Sequence, residues 1–217
     1  MPNSPLDNTG GLCVLRLGKL HPGLNGFTLT SDWQLGARNL DEGLLKEEIT
    51  EARSKGDRIL ANGDLADCIF PGDRRWSPAT YHDRLAGRDD VQNELVRWGM
   101  EYLSPVADRV DMLGVGNHDV GGTKKTGFDF VAALTDGLNT RLRSKGNDHR
   151  VTYGGYAGLI EYANPVRNAE PLRIFYHHGW RKSADLSSAL KYLCEAKKKL
   201  QFHNFSRQCL IVFSVIE

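Results

Sequence analysis

Cysteine is scarce in this chain. Cys13, Cys68, Cys194 and Cys209 are its four, far apart and without a CxxC pair. A disulfide framework or a zinc knuckle needs patterned cysteines, so neither is expected and reduced cytosolic thiols are the default. Long apolar runs are missing too. None approaches the roughly 20 residues that span a bilayer, and the last, Cys209 to Ile216, is far shorter. The opening MPNSPLDNTGG has no basic stretch followed by an apolar one, so no signal peptide is expected. Neither sign of charge dominates: 28 Lys and Arg face 27 Asp and Glu, a net charge of +1. No overall field draws such a protein to nucleic acid or membrane. Internal repeats and low-complexity segments are absent as well. The expectation is a soluble, cytoplasmic protein with no membrane partner. Its 217 residues suit a single domain, 1–217, large enough to bury a sizeable core.

What is present alternates short apolar runs with amphipathic stretches, the pattern of layered α/β structure. Phe27 to Thr30 reads as a strand ending at Ser31-Asp32. Leu44, Leu45, Glu48, Ile49 and Ala52 share one helical face over about 40–54, with capping-box spacing at Asn39 and Glu42 and Gly56 as a stop. Arg58 to Ala61 is the next strand, followed by a Pro-, Gly- and Arg-rich loop over 69–88. Val91, Leu95, Trp98 and Tyr102 mark a second helix, and Val110 to Val115 a third strand. Phe130, Val131, Leu134 and Leu138 predict another helix, Leu172 to Tyr176 a strand, and Leu186, Leu190, Leu193 and Leu200 a last helix.

Four of these strands end in polar clusters: Ser31-Asp32, Gly63-Asp64, Gly116-Asn117-His118-Asp119 and His177-His178. In layered α/β sheets, ligand sites gather just beyond the carboxyl ends of strands. Each cluster alone is weak, because Gly, Asn and Asp are ordinary turn residues. Their order and spacing carry more. Asp64 lies 32 positions after Asp32, and Asn117 a further 53.

The series D-x-Q (Asp32, Gln34), GDxxD (Gly63 to Asp67), GNHD (Gly116 to Asp119) and a strand-end His-His resembles the calcineurin-like metallophosphoesterase superfamily. The resemblance spans roughly residues 25–180 and implies a four-layer α/β/β/α sandwich. It also implies two divalent ions, Mn, Fe or Zn, held by Asp32, Gln34, Asp64, Asn117 and His177 or His178. Asp64 would bridge them. His177 directly follows the apolar run and is the preferred ligand of the pair. The implied reaction is hydrolysis of a phosphomonoester, phosphodiester or nucleotide by a metal-bridging hydroxide. His118 would act as general acid, with Asp119 orienting it.

The chain departs from the family pattern twice. Position 34 is Gln where the family has His, and no GHxH follows residue 180. Only His203 remains in that stretch, so 181–217 reads as a divergent or incomplete tail. The alternative is a degenerate member that binds or scaffolds without catalysis. A third reading is a nuclease, for which Arg74, Arg75, Arg84 and Arg88 would be the nucleic-acid footprint. As plain residues, those arginines read more simply as a solvated charged loop.

Overall fold

The computed structural model describes residues 13–19, 24–166 and 169–179, and the backbone alone of Cys209–Phe213. Within them the chain runs β1 Cys13–Lys19, β2 Phe27–Thr30, α1 Glu42–Lys55, β3 Arg58–Asn62, α2 Val91–Leu103 and β4 Val110–Gly114. It continues through α3 Asn117–Thr126, α4 Phe130–Ser144, β5 Thr152–Gly155, β6 Ala157–Ala163, β7 Leu172–His177 and β8 Cys209–Phe213. The class is α/β, as expected. The helix expected through Leu186 and Leu200, and His203, lie outside the described residues.

One sheet is wholly parallel, in the order β2-β3-β4-β5. Each step between its neighbours crosses over through helix, as parallel pairing requires. Parallel strands are covered on both faces, and all five residues of β4 are buried. The second sheet, β1-β6-β7-β8, is mixed: β6 and β7 are antiparallel, and the outer pairs are parallel.

The two faces of the parallel sheet meet different layers. Ile59, Ala61, Val110 and Leu113 pack with Ile49 of α1, Trp98 of α2 and Phe130 and Leu134 of α4. Leu60 and Met112 point the other way and pack with Leu15, Ile160, Tyr162, Ile174 and Tyr176 of the mixed sheet. Helices, parallel sheet and mixed sheet therefore form three successive layers. Burying one such large apolar side chain contributes about 1.5–3 kcal/mol, and Trp98, Phe130 and Leu134 are each at most 1% exposed.

Local signals fix the helix ends. The N-cap of α1 is Asp41 instead of the expected Asn39; its carboxylate accepts the Leu44 N–H at 2.9 Å. Gly56 closes α1 in the left-handed conformation at φ 75°. Among the described residues, no helix is long and apolar enough to cross a membrane.

Register slips once between β3 and β4. Ile59 pairs with Val110, but Leu60 pairs with Met112, so Asp111 is an extra residue in a bulge. Its buried carboxylate accepts from Arg58 Nε at 3.0 Å and from the Tyr162 hydroxyl at 2.6 Å. That bridge ties the two sheets together at the starting ends of the parallel strands.

Candidate metal centre

The opposite end of the parallel sheet gathers the polar clusters. The loop after β2 and the loop after β3 continue side by side, as if the sheet had not ended. Asp32 N–H donates to Gly63 O at 3.0 Å, and Gln34 N–H to Asp64 O at 2.9 Å. Three residues of these loops, Asp32, Gln34 and Asp64, sit in the left-handed region at φ 58°, 50° and 49°. Such a conformation is uncommon outside glycine, and its clustering marks a place where the backbone is held for a purpose.

Close packing of the loops depends on two glycines. Gly63 has φ 88°, and a Cβ there would lie 2.6 Å from both Gly116 N and His178 Nδ1. A Cβ on Gly116 would overlap the carboxylate of Asp64. Any side chain at either place would push apart the residues that the loops bring together.

What they bring together is Asp32, Asp64 and His178, each offering one ligand atom within 4.8 Å of the others. Asp64 is 1% exposed and His178 is fully buried. His178 Nε2 stands 3.1 Å from Asp64 Oδ2. Its Nδ1 lies 2.6 Å from Asn62 O, a carbonyl that can only accept, so Nδ1 carries the hydrogen. Nε2 is thereby the atom left to face the carboxylates. Burial acts to lower the His178 pKa, but the hydrogen bond and charge of Asp64 outweigh it and raise the value. Burial raises the Asp32 carboxyl above its usual range, and the neighbouring Asp64 charge adds to that. Two close carboxylates in a half-dry place favour a cation between them.

Asn117 opens α3 directly after Gly116. Its side-chain oxygen is buried and has no hydrogen-bond partner among the described residues. A buried carbonyl oxygen without a donor is costly, and a metal ion would satisfy it. Amide oxygen, carboxylate and imidazole together suit Mn, Fe or Zn. Gln34 lines, with Asp32, Trp33 and Glu48, a cleft of about 220 Å³. A larger cavity of about 510 Å³ against α1 and α2 shares none of these residues; Glu42, Lys46, Arg84 and Glu101 wall it.

His177 is placed differently from His178. It accepts the Gly179 N–H on Nδ1 at 2.9 Å, and its ring meets Tyr156 edge-on at 5.4 Å. Burial, then the His178 charge, lowers its pKa to about 4. The geometry thus brings His178, and not the preferred His177, together with the two carboxylates. Strand alternation gives the reason. Ile174 and Tyr176 face the parallel sheet, and the next residue in that two-step series is His178.

His118 lies beside the carboxylates. Its N–H donates to Asp64 Oδ1 at 2.8 Å. Its Nδ1 is 2.9 Å from both the carbonyl and a carboxylate oxygen of Asp67. Both are acceptors, so Nδ1 carries a proton, and the Asp67 hydrogen bond raises the His118 pKa. Asp119 does not orient His118, contrary to expectation. Its Oδ2 accepts the N–H of Asp64 at 2.9 Å and of Gly116 at 2.8 Å, clamping the two loops. At 1% exposure, burial pushes its pKa up to about 7. Asp67 takes the orienting place. Asp67 is the second acid of GDxxD, and that spacing is the sequence signal that marks it, though it is not among the expected site residues.

The Arg-rich loop is mostly internally paired. Arg84 Nε donates to Glu94 at 2.7 Å, its Nη1 donates to Glu101 at 2.8 Å, and it stacks on Trp98 at 4.7 Å. Arg88 pairs with Asp90 at 2.8 Å. Arg75 is held by buried Asp73, which also pairs with Lys125. The Asp73 hydrogen bond, with smaller contributions from the Asp67 and Asp64 charges, raises the Arg75 pKa.

Compared with protein-family models, with curated proteins and with solved structures, the chain matches none.

Proposed function

We propose that this chain is a metal-dependent phosphoric ester hydrolase acting on a phosphomonoester, phosphodiester or nucleotide. The observation that carries the reading is the convergence of Asp32, Asp64 and His178, together with the buried, unpartnered side-chain oxygen of Asn117, the residue before His118, whose backbone N–H donates to Asp64. The motif order resembling the calcineurin-like superfamily supports it. The four-layer sandwich of that superfamily belongs to the same proposal.

Asp32, Asp64, Asn117 and His178 would hold divalent metal, and Gln34 lines a cleft beside Asp32. Such ions polarise a phosphoryl oxygen and lower the pKa of a coordinated water. The residues of the chain do the rest. The two carboxylates balance cationic charge, and Asn62 fixes which nitrogen of His178 faces them. Asp67 holds the His118 ring and favours its protonated form, which can give a proton to the leaving oxygen.

A second reading is a binding protein that holds one ion without turnover. Among the described residues, one group of three His, Cys, Asp or Glu side chains comes together in this way, and two metals would ask for more ligands. The test is to titrate metal-depleted chain with Mn²⁺ by calorimetry, then assay p-nitrophenyl phosphate and its diester. Two ions bound with turnover, both lost in Asp64→Ala, is the expected result. One ion without turnover favours the second reading. Neither binding nor turnover overturns the proposal.

A further inference from the structure

A second cavity opens at the other end of the parallel sheet. Its volume is about 430 Å³, and its lining includes Arg16, Lys19, Arg58, Asp111, His149 and Arg150. Ligand pockets begin at roughly 300 Å³. Leu17, Leu24 and Tyr162 supply apolar wall, and Asp148 stands among the cations.

Two irregularities of the sheets shape it. The Asp111 bulge in β4 is one wall. The other is in β1, where Leu17 pairs with Tyr162 but Lys19 pairs with Ala163, leaving Gly18 extra. Bulges in separate sheets that line one cavity re-aim the chain around it, a common arrangement beside ligand sites.

The floor is a closed polar network. Arg58 gives Nε to Asp111 at 3.0 Å and Nη1 to Asp108 O at 2.7 Å, while Tyr162 gives its hydroxyl to Asp111. His149 Nε2 lies 2.7 Å from Val110 O, so its ring is pinned with Nε2–H donating. This network uses up the Asp111 charge on Arg58. The cations at the mouth are not used up. Among the described residues, Arg16 makes one long 3.7 Å contact, with Glu161, and its side chain is 81% exposed. Among the described residues, Lys19 and Arg150 make no ion pair. Four cations against Asp111 and Asp148 leave an excess of two positive charges, in a chain whose whole net charge is +1.

We propose that this cavity is a binding site for a small organic dianion, separate from the metal centre. Lys19 and Arg150 would hold the anionic group, and Leu17 and Leu24 its apolar part. Arginine forks and lysine point charges fit both phosphate and carboxylate oxygens, so the shared chemistry is a compact double negative charge. The inference does not depend on the hydrolase reading, because β3 and β4 separate the two ends by about one strand length, roughly 17 Å.

The test uses the full chain, stripped of metal so that the carboxylate centre holds no ion, in low salt. Phenylphosphonate and succinate, both organic dianions at pH 8, are titrated separately by calorimetry. Binding of at least one probe is expected, with affinity unchanged in Asp64→Ala. The Lys19→Ala/Arg150→Ala double variant, both at exposed positions, should bind about tenfold or more weakly. The control variant Arg141→Ala/Lys145→Ala removes the same charge elsewhere and should bind as wild type does. Phenylphosphonate alone binding assigns phosphate-type oxygen chemistry, and succinate alone assigns a dicarboxylate. The proposal is overturned if neither probe binds, if Asp64→Ala abolishes binding, or if the control weakens it as much as the double variant.

Discussion

Nε2 of His178 faces Oδ2 of Asp64 at 3.1 Å, although the two residues follow strands of different sheets, β7 and β3. The cluster of Asp32, Asp64 and His178 thus joins the layers, and the inner-face alternation of β7 brings His178 to it.

His178→Gln should therefore reduce Mn²⁺ affinity by more than the 10–100-fold, roughly, that loss of an outer partner gives. His177→Gln should leave it within about threefold, as it removes a ring held by Gly179 and Tyr156. Calorimetry on both variants checks this, and equal losses would contradict the assignment.

His118 and Asp67 should matter according to the leaving group. His118→Ala should slow hydrolysis of an alkyl phosphate by about 10²–10⁴-fold, the range for general acid catalysis. With p-nitrophenyl phosphate, whose leaving oxygen needs little help, the loss should be far smaller. Asp67→Asn should show the same contrast in weaker form, while Asp119→Asn should not. Parallel kcat measurements on the two esters decide it.

Gly63→Ala should damage both fold and site. The new methyl meets Gly116 and His178 at 2.6 Å and forces a positive φ on alanine. A loss of about 2–4 kcal/mol is expected, which for a chain of this size lowers Tm by roughly 4–16 °C. Differential scanning calorimetry measures it.

Glu94 predicts an acid-sensitive term in stability. It is 6% exposed, and its hydrogen bonds from Arg84, then Arg97, hold its carboxyl below the usual range. A depressed carboxylate stabilises fully above its unfolded value of about 4.3 and loses that contribution as pH falls through the folded value. Glu94→Gln should therefore lower Tm at pH 7 and lower it less at pH 3. A gap that widens toward acid would refute the sign.

The sequence made β2, β3, β4 and β7 readable, because each apolar run stops at glycine or a polar cluster. β5 was hidden by its composition: Thr152-Tyr153-Gly154-Gly155 holds two glycines, and it is a strand because Met112 to Gly114 pair with it. α3 was hidden for a related reason. NHDVGGTKKT is poor in helix formers, yet Asp119 caps its first turn and Gly127 closes it. At the site, Asp32, Asp64 and Asn117 were legible from motif order. The choice of His178 was not, since Ile174, Phe175 and Tyr176 are all apolar and buried, and periodicity alone does not say which face is inner. Asp119 follows His118 in sequence, yet its carboxylate meets the N–H groups of Asp64 and Gly116, because the start of a helix turns successive side chains apart.

The left-handed backbone at positions 32, 34 and 64 sets a direction for laboratory evolution. A screen that rewards only heat resistance should draw those three positions toward glycine, each replacement relieving about 1 kcal/mol of local strain. Each would also erase an oxygen of the proposed ligand set. The most thermostable descendants of this chain would then be the ones least able to hold a metal, and their appearance would itself map the site.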